Sequence, residues 1–420
     1  MPAADDETRY QRRLLALLLP ASFFNGFDSE LRVVLLPQLR STFHVGIAAV
    51  GLANIPIGAS AFIAFALIRR ADRIGRRPLL LVTLVGYAVF TALTATSWDL
   101  ASFAVFQTGS QILLGTEYAL AVIVVAEEFP PERRGRAIGL LMFAFPLGVV
   151  GTAALLGAGL LHTPLGWRSF YLVGIVPVLL ISYGRRSLRE TQAYERIAGE
   201  ANTRRLRELL AQPWRRKIET LGALSFCVKV PATAAAGWWV YYAEHERHFS
   251  THLVALDLGT AFALGTSGYY LCGWAMDRLG RRPVAAVYLV AACASGVALF
   301  QSSGKIANFV LLFVAVFFGL GVGPVLSALS AESFPTEIRA GASSVVGNGF
   351  AATGELVGPA LVGVLGASNG LIGNVGDSVC ALAALMVVAL AIVIFGVEET
   401  RGRSLLTEEI LTAPYRTAPQ

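Results

Sequence analysis

Ala71-Asp-Arg-Ile-Gly-Arg-Arg-Pro78 is a dense patch of charge wedged between two long apolar runs, and it occurs twice. Asp277-Arg-Leu-Gly-Arg-Arg-Pro283 repeats its core, from residue 72 to residue 277, an offset of 205. A second pair, Phe129-Pro-Pro-Glu-Arg-Arg134 and Phe334-Pro-Thr-Glu-Ile-Arg339, runs from 129 to 334, the same offset of 205. Two independent matches at one spacing indicate an internal duplication, which constrains the architecture before any single residue is weighed.

Outward from that stretch the chain is apolar. Of 420 residues, 55% are apolar and 15% charged, against about 25% charge in soluble domains, and the mean hydropathy is +0.61. The apolar residues fall in runs of roughly 20, enough to cross about 30 Å of hydrocarbon as helix. An all-α polytopic membrane protein follows. The formal net charge of +6 does not point to nucleic acid, because the arginines lie between apolar runs, where the positive-inside rule and anionic lipid account for them. Cys227, Cys272, Cys293 and Cys380 lie within apolar runs and read as small core residues, not disulfides or metal ligands. Met1 to Glu7 is polar and acidic, and no small-residue cleavage site follows the first apolar run, so that run is expected to stay as a span.

Charged or turn-forming breaks separate twelve expected spans, near 13–36, 45–68, 79–97, 101–126, 137–161 and 166–184, then 218–242, 253–275, 284–301, 306–330, 341–366 and 372–397. Six plus six helices make two pseudo-symmetric bundles, residues 1–184 and 218–397. An Arg- and Glu-rich connector at 185–217 joins them, and a tail at 398–420 follows. Lys and Arg accumulate on one side: Arg9, Arg12 and Arg13, Arg69 to Arg77, Arg133 to Arg136, the connector, Arg278 to Arg282, Arg339, and Arg401 with Arg403. That side is read as the cytoplasm, with both termini, the connector and the tail on it. His44, His162, His245, His248 and His252 fall at or near the outer side. The last three have helical spacing suited to a metal or to pH sensing, or they belong to an interfacial loop; no metal site is expected.

The repeated loop suits a tight turn between adjacent membrane helices. Gly75 and Gly280 permit a backbone conformation costly for other residues, and Pro78 and Pro283 can open the next helix. Asp72 and Asp277 can accept charge-assisted hydrogen bonds from arginines or helix ends. Such a cluster can clamp two bundles together and release them. Arginines that only set topology and bind anionic lipid would not call for Asp and Gly at matched places in both halves.

These loops, the six-plus-six plan and the paired Pro-x-Glu-x-Arg segments resemble the major facilitator superfamily. Gly166-Trp-Arg168 opening the sixth span is in keeping, and Glu398-Glu-Thr-Arg-Gly-Arg-Ser404 is similar to the Pro-Glu-Thr-Lys-Gly-Arg element of sugar porters. The likeness covers nearly the whole chain. It implies two six-helix halves around a central polar cavity, a rocking type of alternating access, and a monomer in the plasma (inner) membrane. Carried over, Asp72, Arg73, Arg76 and Arg77 would work with Glu127 or Glu128 and Arg134 as a cytoplasmic gate. Asp277, Arg278, Arg281 and Arg282 would work with Glu332 and Arg339.

Ionised side chains near the bilayer centre cost about 2.5–3.5 kcal/mol on insertion scales, so each is a functional candidate. Asn25, Asp28 and Arg32 share one face of the first span at i, i+3 and i+7. Asp28 and Arg32 can pair at i, i+4, so a buried structural pair competes with a functional role. Phe24-Asn-Gly-Phe-Asp28 is similar to the Gly-Phe-Asp or Gly-Tyr-Asp element of organic-acid and sugar symporters of the superfamily, which implies proton coupling or substrate binding by Asp28. In the fourth span Gln107 stands where the family's Arg-x-x-x-Gly segment has its arginine, with Glu117 ten residues on. The missing arginine removes the charge that would help set the protonation of a nearby acid. Glu117 is a second candidate proton carrier, and Gln111 lies on the same span. Lys229 in the seventh span, Asn348 with Glu355 on one face of the eleventh, and Asn25, Arg32 and Gln111 are candidate substrate ligands, unless Lys229 instead neutralises Glu355 or Glu117. Trp238, Trp239, Tyr241 and Tyr242 form either a cavity wall or, being late in their span, an interfacial aromatic belt.

The expected function is secondary active transport of a small polar metabolite, an organic or aromatic acid first and a sugar second, by proton symport with no cofactor beyond the proton gradient. The alternative in the same architecture is proton-coupled efflux of drugs or secondary metabolites. Ala144-Phe-Pro-Leu-Gly-Val-Val-Gly151 fits the Gly-Pro-rich signature of drug antiporters poorly and tilts the balance to uptake. A membrane enzyme would use Asp and Glu as acid and base, but the chain has no His-Glu-x-x-His, Gly-x-Ser-x-Gly or phosphate-loop motif. A non-transporting sensor would call for a long signalling tail, and only about 20 residues follow the last span.

Overall fold

A computed structural model describes residues 2–129, 131–190, 214–334, 342–343 and 345–400. Among these residues every regular element is a helix. Nine helices are long and apolar enough to cross a membrane. The first, sixth and eighth expected spans fall outside that set for local reasons. Helix α1 (Pro2–Val34) carries Asp28, Glu30 and Arg32 near its end. After α2 (Leu36–Phe43), α3 (Ile47–Ile74), α4 (Arg76–Ala95), α5 (Leu100–Glu128) and α6 (Pro131–Gly157), the sixth span is broken into α7 (Arg168–Val173) and α8 (Ile175–Arg185). Pro177 has no N–H for the carbonyl of Val173, which interrupts the ladder there. The eighth span is likewise two pieces, α10 (Thr251–Gly265) and α11 (Ser267–Leu279), after α9 (Trp214–Tyr241). The chain continues through α12 (Arg281–Gln301), α13 (Lys305–Glu332), α14 (Ala352–Leu365), α15 (Val375–Leu382) and α16 (Ala384–Phe395). Two π-helical segments, Tyr242–Glu246 and Val345–Ala351, follow α9 and precede α14.

The chain divides into two compact units: Met1–Asn202 with Trp238–Ala263, and Thr203–Gly237 with Leu264–Gln420. In the first, α1 and α6 meet at backbone distance. A Cβ on Gly26 would lie 1.9 Å from the carbonyl oxygen of Phe145, and one on Gly148 2.0 Å from that of Phe23. Without a hydrophobic drive between helices in lipid, such close approach is what holds them. Thr152 Oγ1 donates to the carbonyl of Phe27 (3.0 Å), and Ser22 Oγ to that of Leu141 (2.7 Å). Helix α4 is amphipathic in the membrane sense. Val82, Val85, Val89 and Leu93 form an exposed stripe, while Leu80, Leu84, Tyr87 and Ala88 are buried.

In the second unit α9 and α14 cross in the same manner. A Cβ on Gly358 would lie 2.3 Å from the carbonyl of Val230, and one on Gly354 2.9 Å from the Cβ of Lys229. The core of this unit gathers Leu221, Leu224, Val325, Leu329 and Phe334, all buried.

Candidate functional site

Asp28 is fully buried on α1. Helix α5 presents Gln107 and Gln111 one turn apart, and both Nε2 groups donate to Asp28 Oδ2, at 3.4 and 3.2 Å. Thr94 Oγ1 on α4 donates to Gln107 Oε1 at 3.3 Å, which fixes the amide so that its N–H faces the carboxylate. Tyr87, Ser110 and Arg32 stand close to the same carboxylate. Gln107, read as a missing arginine, is thus a neutral partner of Asp28. Asn25 does other work: its amide donates to the carbonyl of Leu114 (3.3 Å) and its Oδ1 accepts from Ser29 (3.4 Å), tying α1 to α5.

Further along α5, Glu117 meets Arg185, with Oε1 and Nη2 2.7 Å apart and the side chains 1% and 0% exposed. The contact is ionic without hydrogen-bond alignment; Arg185 Nη2 also donates to the carbonyl of Leu17 (3.3 Å). Sequence reading assigned Arg185 to the connector. Here it ends α8 and turns inward, while the next residue, Arg186, lies over the ring of Tyr183. The 100° step between helical neighbours separates a sealed arginine from an exposed one.

In the second unit Lys229 Nζ donates to Glu355 Oε1 at 2.5 Å, and this pair is 37% and 45% exposed. Tyr269 on α11, 40% exposed, lies within electrostatic range of Lys229. Thr233 Oγ1 donates to the carbonyls of Lys229 (2.8 Å) and Gly354 (3.5 Å), pinning α9 to α14 beside the pair. Tyr269 was not picked out from the sequence, since one tyrosine in an apolar run carries no signal.

The two repeated loops build matching clusters. Gly75 (φ 102°) and Gly280 (φ 101°) hold the left-handed backbone that turns the chain into α4 and α12. At the start of α4 the N–H groups of Arg76 (2.8 Å) and Arg77 (3.3 Å) donate to the Glu190 carboxylate. At the start of α12 those of Arg281 and Arg282 donate to Glu399, both at 2.9 Å. An anion at a helix N-terminus meets orphan donors and the positive end of the dipole. The side chain of Arg76 pairs with Glu127 (3.1 Å), and that of Arg281 with Glu332 (2.9 Å) and Asp277 (3.5 Å). Thr400 donates to Glu332 as well. Other expected partners diverge. Arg77 donates to the carbonyl of Arg186 (2.5 Å), Arg282 to those of Val393 and Ile394, and Arg278 stacks on Trp274 at 4.3 Å. Glu128 stands near Tyr10. The side chains of Asp72, Arg73, Arg134 and Asn348, and Arg339 as a whole, lie outside the described residues. Glu190, which the sequence did not single out, and Glu399, noted there only as part of the Glu398–Ser404 element, close both clusters.

Trp238, Trp239, Tyr241 and Tyr242 are buried and so do not form a lipid-facing belt. Within the first unit Arg40 donates to the hydroxyl of Tyr241 (2.6 Å), whose ring stacks on His245 at 4.4 Å, and Arg247 donates to that of Tyr242 (2.5 Å). Among the described residues no group of three His, Cys, Asp or Glu is arranged to hold a metal.

Residues 18–268, more than half of the chain, match the family described as Major Facilitator Superfamily, and residues 245–411 match that described as Sugar (and other) transporter. A Bacillus subtilis protein named for niacin/nicotinamide transport is 27% identical over 403 residues, 94% of this chain and 98% of the other. The cis,cis-muconate transport protein of Acinetobacter baylyi is 27% identical over 380 residues, 86% and 87% of the two chains. The fold is that of a crystallised D-xylose-proton symporter, with a TM-score of 0.77 at 16% identity, covering 94% of this chain and all of that one.

Proposed function

The chain belongs to the major facilitator superfamily, and from that premise we propose that it takes up a small organic acid by proton symport. It is a secondary transporter of small metabolites and not an enzyme. The proposal adds the acid, the proton and the direction. It also takes the chain to work as a monomer in the plasma (inner) membrane, with both termini in the cytoplasm. Under it Asp28 carries the coupling proton. The observation behind this is that one oxygen of the fully buried Asp28 is held by two neutral amides, whereas Oδ1 is met by no hydrogen bond of normal geometry, with the Tyr87 and Ser110 hydroxyls close to the carboxylate. Glu117, sealed against Arg185, is better suited to holding α5 and α8 together than to cycling protons. An acid is favoured by Lys229, the one lysine in the expected spans, and by the acids in the relatives' names. A sugar is the second reading, favoured by the match of residues 245–411. The two clusters at Gly75 and Gly280 would close and open the cytoplasmic side.

Proteoliposomes with an inward proton gradient test the proposal. Nicotinate or cis,cis-muconate should accumulate, and Asp28→Asn should keep exchange of the acid across the membrane but lose gradient-driven accumulation. Gradient-driven expulsion would replace symport by efflux.

A further inference from the structure

The Lys229–Glu355 pair is wetted. A charge facing hydrocarbon is costly, so exposures of 37% and 45% on spanning helices mean that ammonium and carboxylate face water. The lysine is fixed from behind: Gly354 packs against its Cβ, and Thr233 bonds its carbonyl. Glu355 follows Gly354 in the chain and reaches the ammonium from the open side. A partly exposed ammonium, held by one carboxylate at 2.5 Å and within electrostatic range of the partly exposed Tyr269, has the chemistry of a carboxylate-binding site already filled by the protein's own acid.

We propose that Lys229 is the residue that recognises the carboxylate of the transported acid, and that Glu355 is a tethered competitor for it. In the empty state Glu355 neutralises the ammonium. On binding, the acid's carboxylate takes that place, Glu355 turns to water, and the ring of Tyr269 lies against the acid's aromatic or conjugated body. Each carboxylate keeps its charge, so the exchange needs no further reactant. A neutral isostere has nothing to offer in place of Glu355 and is rejected. This inference rests on the organic-acid reading above.

The test is binding to the purified full-length protein, with benzoate, nicotinate and cis,cis-muconate as probes and nicotinamide as the neutral control. Glu355→Gln removes the competitor and should tighten at least one acid about two- to fivefold, the range expected for a partly exposed pair, while leaving nicotinamide unchanged. Lys229→Gln should abolish acid binding. Glu355→Asp, one methylene short of the lysine, should tighten acids by a smaller factor and serves if the glutamine variant does not fold. In Glu355→Ala, added acetate or formate should raise thermal stability by filling the vacated place, and the response should vanish in the Lys229→Gln/Glu355→Ala double variant. No tightening by any probe together with no rescue by acetate would overturn the proposal. Gradient-driven uptake of an acid that is unchanged in Lys229→Gln would overturn it while leaving symport standing. Tighter acid binding without gradient-driven uptake would keep it and remove symport.

Discussion

Two of the ion pairs between helices, one in each unit, are built oppositely. Arg185–Glu117 in the first unit is sealed, 0% and 1% exposed, whereas Lys229–Glu355 in the second is open, 37% and 45% exposed. The same pairing of cation and carboxylate therefore has two meanings. A sealed pair has lost its hydration and depends on its partner. An open pair has water as an alternative partner, so either member can be exchanged at small cost.

Four predictions break or sharpen this contrast. The largest effect is on the sealed pair. Arg185→Leu or Glu117→Leu alone leaves a buried charge unpaired and should cost about 3–5 kcal/mol, read as loss of folded protein on thermal unfolding in detergent. The double variant Arg185→Met/Glu117→Leu should recover most of that stability; if it does not, the pair has a role beyond holding α5 to α8. Next come the helix crossings. Gly148→Ala forces a Cβ to 2.0 Å from a backbone oxygen and Gly358→Ala to 2.3 Å, so each should destabilise by about 1–3 kcal/mol. In the open pair, the swap Lys229→Glu/Glu355→Lys should stay within about 1 kcal/mol of the parent, with any coupling fading as salt is raised, yet lose acid transport because the ammonium has moved to α14. Unimpaired uptake by the swapped protein would erase the distinction between the two pairs. The smallest effects fall on the loop clusters. Glu190→Gln and Glu399→Gln each remove an anion from a helix start and should cost about 0.3–1 kcal/mol, with equal losses if the two halves are equivalent there.

Much of the architecture was legible because it is one-dimensional. Apolar run length, the 205-residue offset and the alternation of arginines depend only on order along the chain. Among the described residues, nine of the twelve expected spans coincide with helices long and apolar enough to cross, while the sixth and eighth are each broken in two. The paired glycines at 75 and 280 were legible for the same reason, and both adopt positive φ. The site was legible only as residue types. Asp28 could be named, but its partners on α5 lie 79 and 83 residues away, and nothing local says that Gln107 and Gln111 converge on it. Arg185 escaped because it stands next to Arg186, and only the rotation at the end of α8 tells them apart. Asn25 looked like a ligand by composition but spends its amide on a backbone carbonyl. The ring cluster at 238–242 is buried although its place late in a span suits a belt equally, because span position carries no information about which neighbours cover it.

The two cap carboxylates do not keep the common offset. Arg76 and Glu127 recur at Arg281 and Glu332, 205 residues on, while Glu190 recurs at Glu399, 209 residues on. The difference of four residues is about one turn of helix. The carboxylate therefore reaches the helix start in both halves although the number of residues between them differs, since both acids arrive on segments that follow the final helix of their half. What makes the cap is where the segment lands and not how many residues it takes to get there, so a change of length that still brings a carboxylate to the helix start should keep it.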